Sequence, residues 1–308
     1  MNEQSFEQSR WSLAKLLPAT SGPELDEILA ELEATVVELE GYRDRLLADL
    51  PEEEFARAMA LVEKASALGA RVGAYAYLWY AEDTQQQEAL AFQGRMMQLL
   101  TELQNRTLFF SLWWKDLEEE AAQRLLAASG DKAYYLEAER LFRPYTLSEP
   151  EEKVINLKDV NGVSALGTVY DMLTTAFTFR LEIDGEVKEL NRTELTVYAR
   201  DPRPEVRAAA YQELHRVFGQ QGIVLGQIYQ HIVRDWASEN VSLRNFPSPI
   251  SVRNLSNDIP DPVVDTLLQV CQENTTVFQR YFELKAGWLG LDTLRRYDIY
   301  APLGASGK

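Results

Sequence analysis

Apolar side chains recur every three or four residues along most of the chain, and this spacing predicts a succession of amphipathic α-helices. A long helix is predicted from Pro23 to about Leu50, where acidic residues separate the apolar positions. The same pattern predicts further helices over residues 51–80, 83–114, 117–128 and 132–142. A weaker apolar element over Glu3–Leu17 ends before Pro18, and we interpret it as a docking segment.

The apolar spacing changes from helical to alternating after a helix predicted over Ser164–Ala176. Asp184-Gly185 follows the alternating residues and is a strong signal for a type I′ turn. We therefore predict a β-hairpin over residues 177–190, whose second strand passes through Val187 and Leu190. The apolar residues of its first strand are Phe177, Phe179, Leu181 and Ile183.

Helical spacing resumes after the hairpin. A short helix is predicted to begin at Asn191 or Thr193, and a long one is predicted from Asp201-Pro202 to Glu239, with a break near its glycines. Residues 240–260 contain prolines and several asparagines, which predicts a loop. A last helix over residues 261–291 and an extended segment over 297–303 complete the predicted elements.

These elements place the chain in the mainly α class, as an elongated multi-helix lobe with one small β-hairpin. Ser148 and Glu151 have the spacing of a capping box, which marks where the chain enters its second region. We therefore divide the chain into an N-terminal helical region, residues 1–146, and a second helical region, residues 147–308, that contains the hairpin.

Net charge, the length of the apolar runs and the number of cysteines limit which partners and which cellular compartment we expect. The chain has 48 acidic and 31 basic side chains, a net charge of −17 at pH 7, which repels phosphate backbones and anionic lipid headgroups. We expect no nucleic acid and no membrane as partner, because the longest strongly apolar run, Thr107–Trp114, is also far shorter than the roughly 20 residues of a membrane span. The single cysteine, Cys271, is expected to be a buried thiol. Because it cannot form an internal disulfide and no signal peptide is visible, we expect a cytoplasmic protein.

The histidines decide the candidate chemistry. A zinc peptidase of the HExxH type needs two histidines one helical turn apart, with a glutamate beside the first. The chain has only His215 and His231, which are sixteen residues apart and begin no such motif. His231 and Asp235 share a helix face but lack a third ligand, so we interpret them as an ordinary intrahelical pair. We expect no catalytic, cofactor-binding or metal-binding residue in this chain.

Six blocks of sequence stand out along the chain: WSLAKLLP, LSEPEEKVINLKDVNG, FTFRLEIDGEVKELNR, DPRPEVRAAAYQEL, SPISVRNLSNDIPDPVVDTLL and LRRYDIYAPL. They resemble the N-terminal half of the oligoendopeptidase F family of zinc metallopeptidases, which belongs to the thimet oligopeptidase-like superfamily. They occur in the family's order and span nearly the whole chain. The resemblance implies a mostly α-helical fold around a deep channel in which short peptides are cleaved by zinc bound to an HExxH motif. It places that motif after the last block, in a catalytic lobe absent from this chain.

Two hypotheses follow for the function. In the first, the chain is the N-terminal, channel-forming part of such a peptidase, from a truncated or a split enzyme, and is inactive alone. In the second, it is a non-catalytic helical scaffold that binds peptides or a partner protein. The first predicts oligopeptides as ligands, zinc only in the full-length family, and either a C-terminal catalytic half or self-association as partner.

The first hypothesis also predicts an exposed apolar surface where the catalytic lobe would pack. We expect it near the helix over residues 261–291 and the segment 295–303. The residues expected near it are Val277, Phe278, Tyr281, Phe282 and Trp288.

Overall fold

The computed structural model describes residues 11–303. The fold is mainly α-helical with one two-stranded antiparallel sheet, which confirms the predicted class. The chain forms two compact units, Met1–Ser164 and Ala165–Lys308. The division of the sequence after residue 146 stays a prediction. None of the described helices is long and apolar enough to cross a membrane.

The first unit consists of helices in the order predicted. Three glutamates, Glu52 to Glu54, occupy the first turn of its second helix, where negative charge is favourable to the helix dipole. The helices are α1 (Pro23–Glu40), α2 (Glu52–Glu82), α3 (Gln87–Asp116), α4 (Glu119–Ala127), α5 (Ala133–Arg140) and α6 (Glu149–Asn161).

The predicted extent of α1 is wrong, because the helix ends at Glu40 and not near Leu50. Gly41 follows it, and a short 3-10 turn over Arg43–Arg45 redirects the chain. Apolar residues beyond the helix still reach the core, which is why the spacing continued past the helix end. These buried residues are Tyr42, Leu46 and Leu50.

The expected docking segment before α1 differs in form. Residues 1–10 lie outside the described part of the chain. From Trp11 to Leu17 the chain is irregular and contains a turn, in which Leu16 and Leu17 N–H donate to the carbonyl of Leu13. Leu17 is buried in a cluster with residues of α1, α2 and α3, so this part of the segment does dock.

Aromatic rings fill the largest core of the first unit. Phe55 on α2 stacks against Trp114 and Phe110 on α3, with ring centroids 5.4 and 6.1 Å apart. Trp114 is fully buried, and its Nε1–H donates a hydrogen bond of 2.8 Å to the Leu136 carbonyl on α5. This bond satisfies the indole inside an apolar core and ties α5 to α3.

The start of α6 is held by charged side chains. The predicted capping box is confirmed, since Ser148 N–H donates to the Glu151 carboxylate at 3.0 Å. Arg43 donates two hydrogen bonds to Glu149, at 2.8 and 3.0 Å. The hydrogen bonds from Arg43 and Lys153 lower the pKa of Glu149 to about 2.

The second unit combines helices with the hairpin. Its helices confirm the predicted break near the glycines of residues 219–226, because one helix ends at Gln220 and the next begins at Gly222. The elements from residue 163 onward are α7 (Val163–Thr175), β1 (Phe179–Ile183), β2 (Glu186–Leu190), α8 (Arg192–Tyr198), α9 (Pro204–Gln220), α10 (Gly222–Trp236), α11 (Pro249–Ser256), α12 (Asp261–Glu273) and α13 (Thr275–Leu289).

The predicted hairpin is confirmed. Phe179 pairs with Leu190 and Ile183 with Glu186, which leaves Asp184 and Gly185 as a two-residue turn. Both turn residues have positive φ, 56° and 83°, as a type I′ turn requires. The inward side chains of β1, which are Phe179, Leu181 and Ile183, pack against α8 and α9. The buried residues that they meet on these helices are Leu195, Ala210 and Val217.

Three predictions for the C-terminal part are wrong. The expected loop over residues 240–260 contains α11, which begins after Ser248 because that side chain caps the Ser251 N–H and Pro249 fits the first turn. The expected single helix over residues 261–291 is interrupted at Asn274. The expected extended segment over 297–303 instead begins in a 3-10 turn over Arg296–Asp298.

Candidate interaction surface

The helices α12 and α13 have defined ends. At the start of α12, the Asp261 carboxylate accepts hydrogen bonds from Ser251 Oγ at 2.7 Å and Asn254 Nδ2 at 2.9 Å. These hydrogen bonds, first that from Ser251, lower the pKa of Asp261 and tie α12 to α11. α13 ends at Leu289, and Gly290 after it has a φ of 67°, the left-handed conformation that glycine adopts freely.

The two helices bury little of their apolar side chains. No residue of α12 is buried, and α13 buries only Lys285 and Ala286. Nine large apolar side chains on the two helices are between 44% and 62% exposed. Most of them follow spacings of three and four, which places them on one face of each helix. We call this set the α12–α13 apolar surface: Val263, Leu267, Leu268, Val270, Val277, Phe278, Tyr281, Leu284 and Trp288.

The exposure agrees with the sequence-based expectation except at one residue. Val277, Phe278, Tyr281 and Trp288 are exposed, whereas Phe282 is half-buried with its ring 5.7 Å from that of Tyr281. Monomeric proteins rarely expose contiguous apolar patches larger than a few hundred Å². The α12–α13 apolar surface is therefore the candidate site for an interaction.

The charges of the two units differ. The first unit, residues 1–164, carries 30 acidic and 16 basic side chains, a net charge of −14. Residues 165–308 carry 18 acidic and 15 basic side chains, a net charge of −3. The α12–α13 apolar surface thus lies on the unit with the smaller net charge.

The histidines and the cysteine do not come together as metal ligands in the described part of the chain. His215 on α9 and His231 on α10 are both exposed, and the ring of His215 lies 4.4 Å from that of Tyr211. Cys271 is exposed on α12, so the expectation of a buried thiol is wrong. Within residues 11–303, no cluster of three potential ligands includes a histidine or the cysteine. The described residues therefore do not fit a zinc centre of the HExxH type.

Models of two parts of one peptidase family match the chain. The model described as Oligopeptidase F, the N-terminal part of the family, matches residues 113–179. The model described as Peptidase family M3 matches residues 197–304, a range that includes α12 and α13. Together they cover more than half of the chain. The chain is an oligoendopeptidase F-like member of peptidase family M3.

Relatives of this M3 family member agree with that assignment. Oligopeptidase PepF of Bacillus subtilis is 23% identical over 96% of this chain and 44% of its own length. Group B oligopeptidase PepB of Streptococcus agalactiae is 26% identical over 76% of this chain and 39% of its own length. The solved structure of oligoendopeptidase-F from Enterococcus faecium has the same fold, with a TM-score of 0.79 at 21% identity over 92% of this chain and 56% of that one. The chain thus spans about half the length of these relatives.

Proposed function

We propose that the chain is the N-terminal, channel-forming part of an oligoendopeptidase F-like zinc metallopeptidase that cleaves short peptides, and that it is inactive alone. The observation that carries this proposal is the α12–α13 apolar surface, which lies inside the segment that matches the M3 peptidase model. Because the relatives are about twice as long, a second part of the enzyme is available to cover it. This part could be joined to the chain or be a separate polypeptide.

In this proposal the zinc ligands belong to the second part. His215, His231 and Cys271 lie on three different helices, and none of them belongs to a cluster of three potential ligands among the described residues. When bound, zinc activates the water that attacks a peptide bond. The role of this chain is to bind the second part and to form a wall of the peptide channel. A single exposed cysteine and no internal disulfide suit a reducing, cytoplasmic compartment.

Charge disfavours a second copy of this chain as the partner. Two copies, each with a net charge of −17, repel one another at low ionic strength. A complementary part with a less negative charge avoids that repulsion while it covers the same apolar residues. The negative charge also favours neutral or cationic oligopeptides as ligands.

Reconstitution tests the proposal. The chain is mixed with a separately expressed second part, containing HExxH, from a matching oligoendopeptidase F, and cleavage of a quenched fluorescent oligopeptide is measured with and without a chelator. We expect chelator-sensitive cleavage in the mixture and none with either component alone. The absence of both binding and cleavage in the mixture would support the alternative function, a non-catalytic scaffold.

A matched pair of variants locates the interface. Val277→Asp places a charge on the α12–α13 apolar surface, and Val37→Asp places the same charge on α1 of the first unit. The two valines are 56% and 52% exposed, so neither substitution disturbs a core. We expect Val277→Asp to weaken binding to the second part at least about ten-fold, since burying an unpaired charge is costly. Equal effects of the two variants would place the interface elsewhere.

A further inference from the structure

A buried ion pair connects α9 to the segment after α13. Arg207 on α9 donates from Nη2 to Asp298 Oδ1 at 2.7 Å, and the two side chains are only 1% and 3% exposed. The other carboxylate oxygen of Asp298 accepts a hydrogen bond from the Arg295 N–H at 3.1 Å. Arg207 Nη1 also donates to the carbonyls of Asp201 and Pro202, at 2.8 and 2.9 Å. One guanidinium therefore joins the loop before α9 to the C-terminal segment.

A second buried charge holds the same segment. Lys285 on α13 is 5% exposed, and its Nζ donates to the Ile299 carbonyl at 2.6 Å. Ala301, two residues further on, is buried and donates its N–H to the Asp298 carbonyl at 3.0 Å. Residues 295–301 are thus held from α9 on one side and from α13 on the other.

The hydrogen bonding of this ion pair is incomplete, and this bears on whether the pair stabilises the fold. The Nε–H of Arg207 is buried and has no hydrogen-bond partner among the described residues. Desolvating an arginine and an aspartate is costly, and buried pairs replaced by apolar residues of similar volume often leave stability unchanged or raised. Removing one partner alone is strongly destabilising, because the other charge stays buried without compensation. A pair of this kind is better suited to selecting one conformation than to adding stability.

We infer that Arg207 and Asp298, assisted by Lys285, are positioning residues that set the path of residues 295–301. The effect of this path on activity rests on the proposed function, because in the family's order this segment leads to the zinc-bearing part. A fixed path then orients that part relative to the channel wall. The pair acts through the segment and does not touch the substrate.

Hydrogen exchange tests the path independently of any activity. The variant Arg207→Met/Asp298→Leu replaces both charges with apolar side chains; methionine is close to arginine in length, and leucine has the branched shape of aspartate. It also removes the partners of the Asp201 and Pro202 carbonyls and of the Arg295 N–H, so we expect a modest fall in the thermal midpoint, smaller than that caused by Asp298→Asn. The amides at positions 298 and 301 should exchange at least about ten-fold faster. Asp298→Asn alone should lower the midpoint, because it leaves Arg207 buried without a counter-charge.

A control separates this effect from the loss of any ion pair. Arg180→Gln/Glu189→Gln removes the exposed pair that links β1 to β2, whose side chains are 69% and 62% exposed. It should change neither the midpoint nor the exchange of residues 295–301. The inference is overturned if the apolar double variant keeps slow exchange at positions 298 and 301. A fall in its midpoint as large as that of Asp298→Asn would also overturn the inference, because the pair would then serve stability.

A fusion in which this chain continues into the second part tests the consequence. In that single chain, the apolar double variant should lower kcat at least about ten-fold and leave KM for the oligopeptide nearly unchanged, since the reacting groups are misaligned while the peptide still binds. An unchanged kcat alongside fast exchange would refute the orienting role. An inactive wild-type fusion would refute the proposed function, and the exchange measurement would still decide whether the pair sets the path.

Discussion

The hairpin turn offers a test in which backbone conformation is the only variable. Gly185 has a φ of 83°, in the region that side chains with a Cβ rarely adopt. A Cβ built at this position meets no atom within 4 Å, so the first atom of an added side chain does not collide with the protein. The main cost of Gly185→Val is therefore backbone strain, which for a β-branched residue at positive φ is about 1–2 kcal/mol.

This cost should be visible in thermal unfolding measured by calorimetry. For a domain of this size, 1 kcal/mol corresponds to roughly 2–4 °C in the midpoint. Gly185→Val should lower the midpoint of the second unit by about 2–8 °C, with the first unit unaffected. Gly185→Asn is the matched control, because asparagine tolerates positive φ and should lower the midpoint far less. Equal midpoints for the two variants, or no shift for either, would show that the stability of this turn does not depend on the positive φ of Gly185.

Three further predictions concern single side chains. Glu149→Gln should lower the free energy of unfolding at pH 7 by about 1 kcal/mol, because Arg43 and Glu149 are partly exposed. Since the folded pKa of Glu149 is about 2 and the unfolded value is about 4.3, this difference should be complete above pH 4.3 and vanish as the pH falls through 2 in urea titrations. Trp114→Phe should cost about 1–3 kcal/mol, measured the same way, because it removes the indole hydrogen bond to the Leu136 carbonyl and leaves a cavity in the core. Cys271 should react with a thiol reagent in the native protein as fast as in urea, and slow labelling would contradict its exposure.

Local signals predicted the elements that short-range chemistry determines. The hairpin followed from alternation and from Asp184-Gly185, and α6 followed from the capping box of Ser148 and Glu151. The end of α1 was missed because Tyr42 and Leu46 stay buried after the helix has stopped. The spacing of apolar residues shows which side chains reach the core. A 3-10 turn can direct such side chains into the core after the α-helix has ended.

The error at Cys271 has a physical cause. Free cysteine is among the most buried residue types. This tendency applies to a helix whose apolar face packs against a core. α12 has no buried residue in the described structure, so its cysteine is exposed together with Leu267, Leu268 and Val270. The exposed face itself was predicted through the family resemblance, since composition alone does not distinguish an interface from a core.

The pair of Arg207 and Asp298 was beyond sequence reasoning, because 91 residues separate the partners and neither lies in a catalytic motif. The residues nevertheless belong to two blocks that carried the resemblance, DPRPEVRAAAYQEL and LRRYDIYAPL. A third block, SPISVRNLSNDIPDPVVDTLL, contains the hydrogen bonds from Ser251 and Asn254 to Asp261. The blocks that carried the resemblance contain contacts that direct the chain: a hairpin turn, the start of α12 and the path of residues 295–301. A segment can therefore carry a family resemblance without a catalytic residue, because the family's geometry depends on where these contacts place the next element.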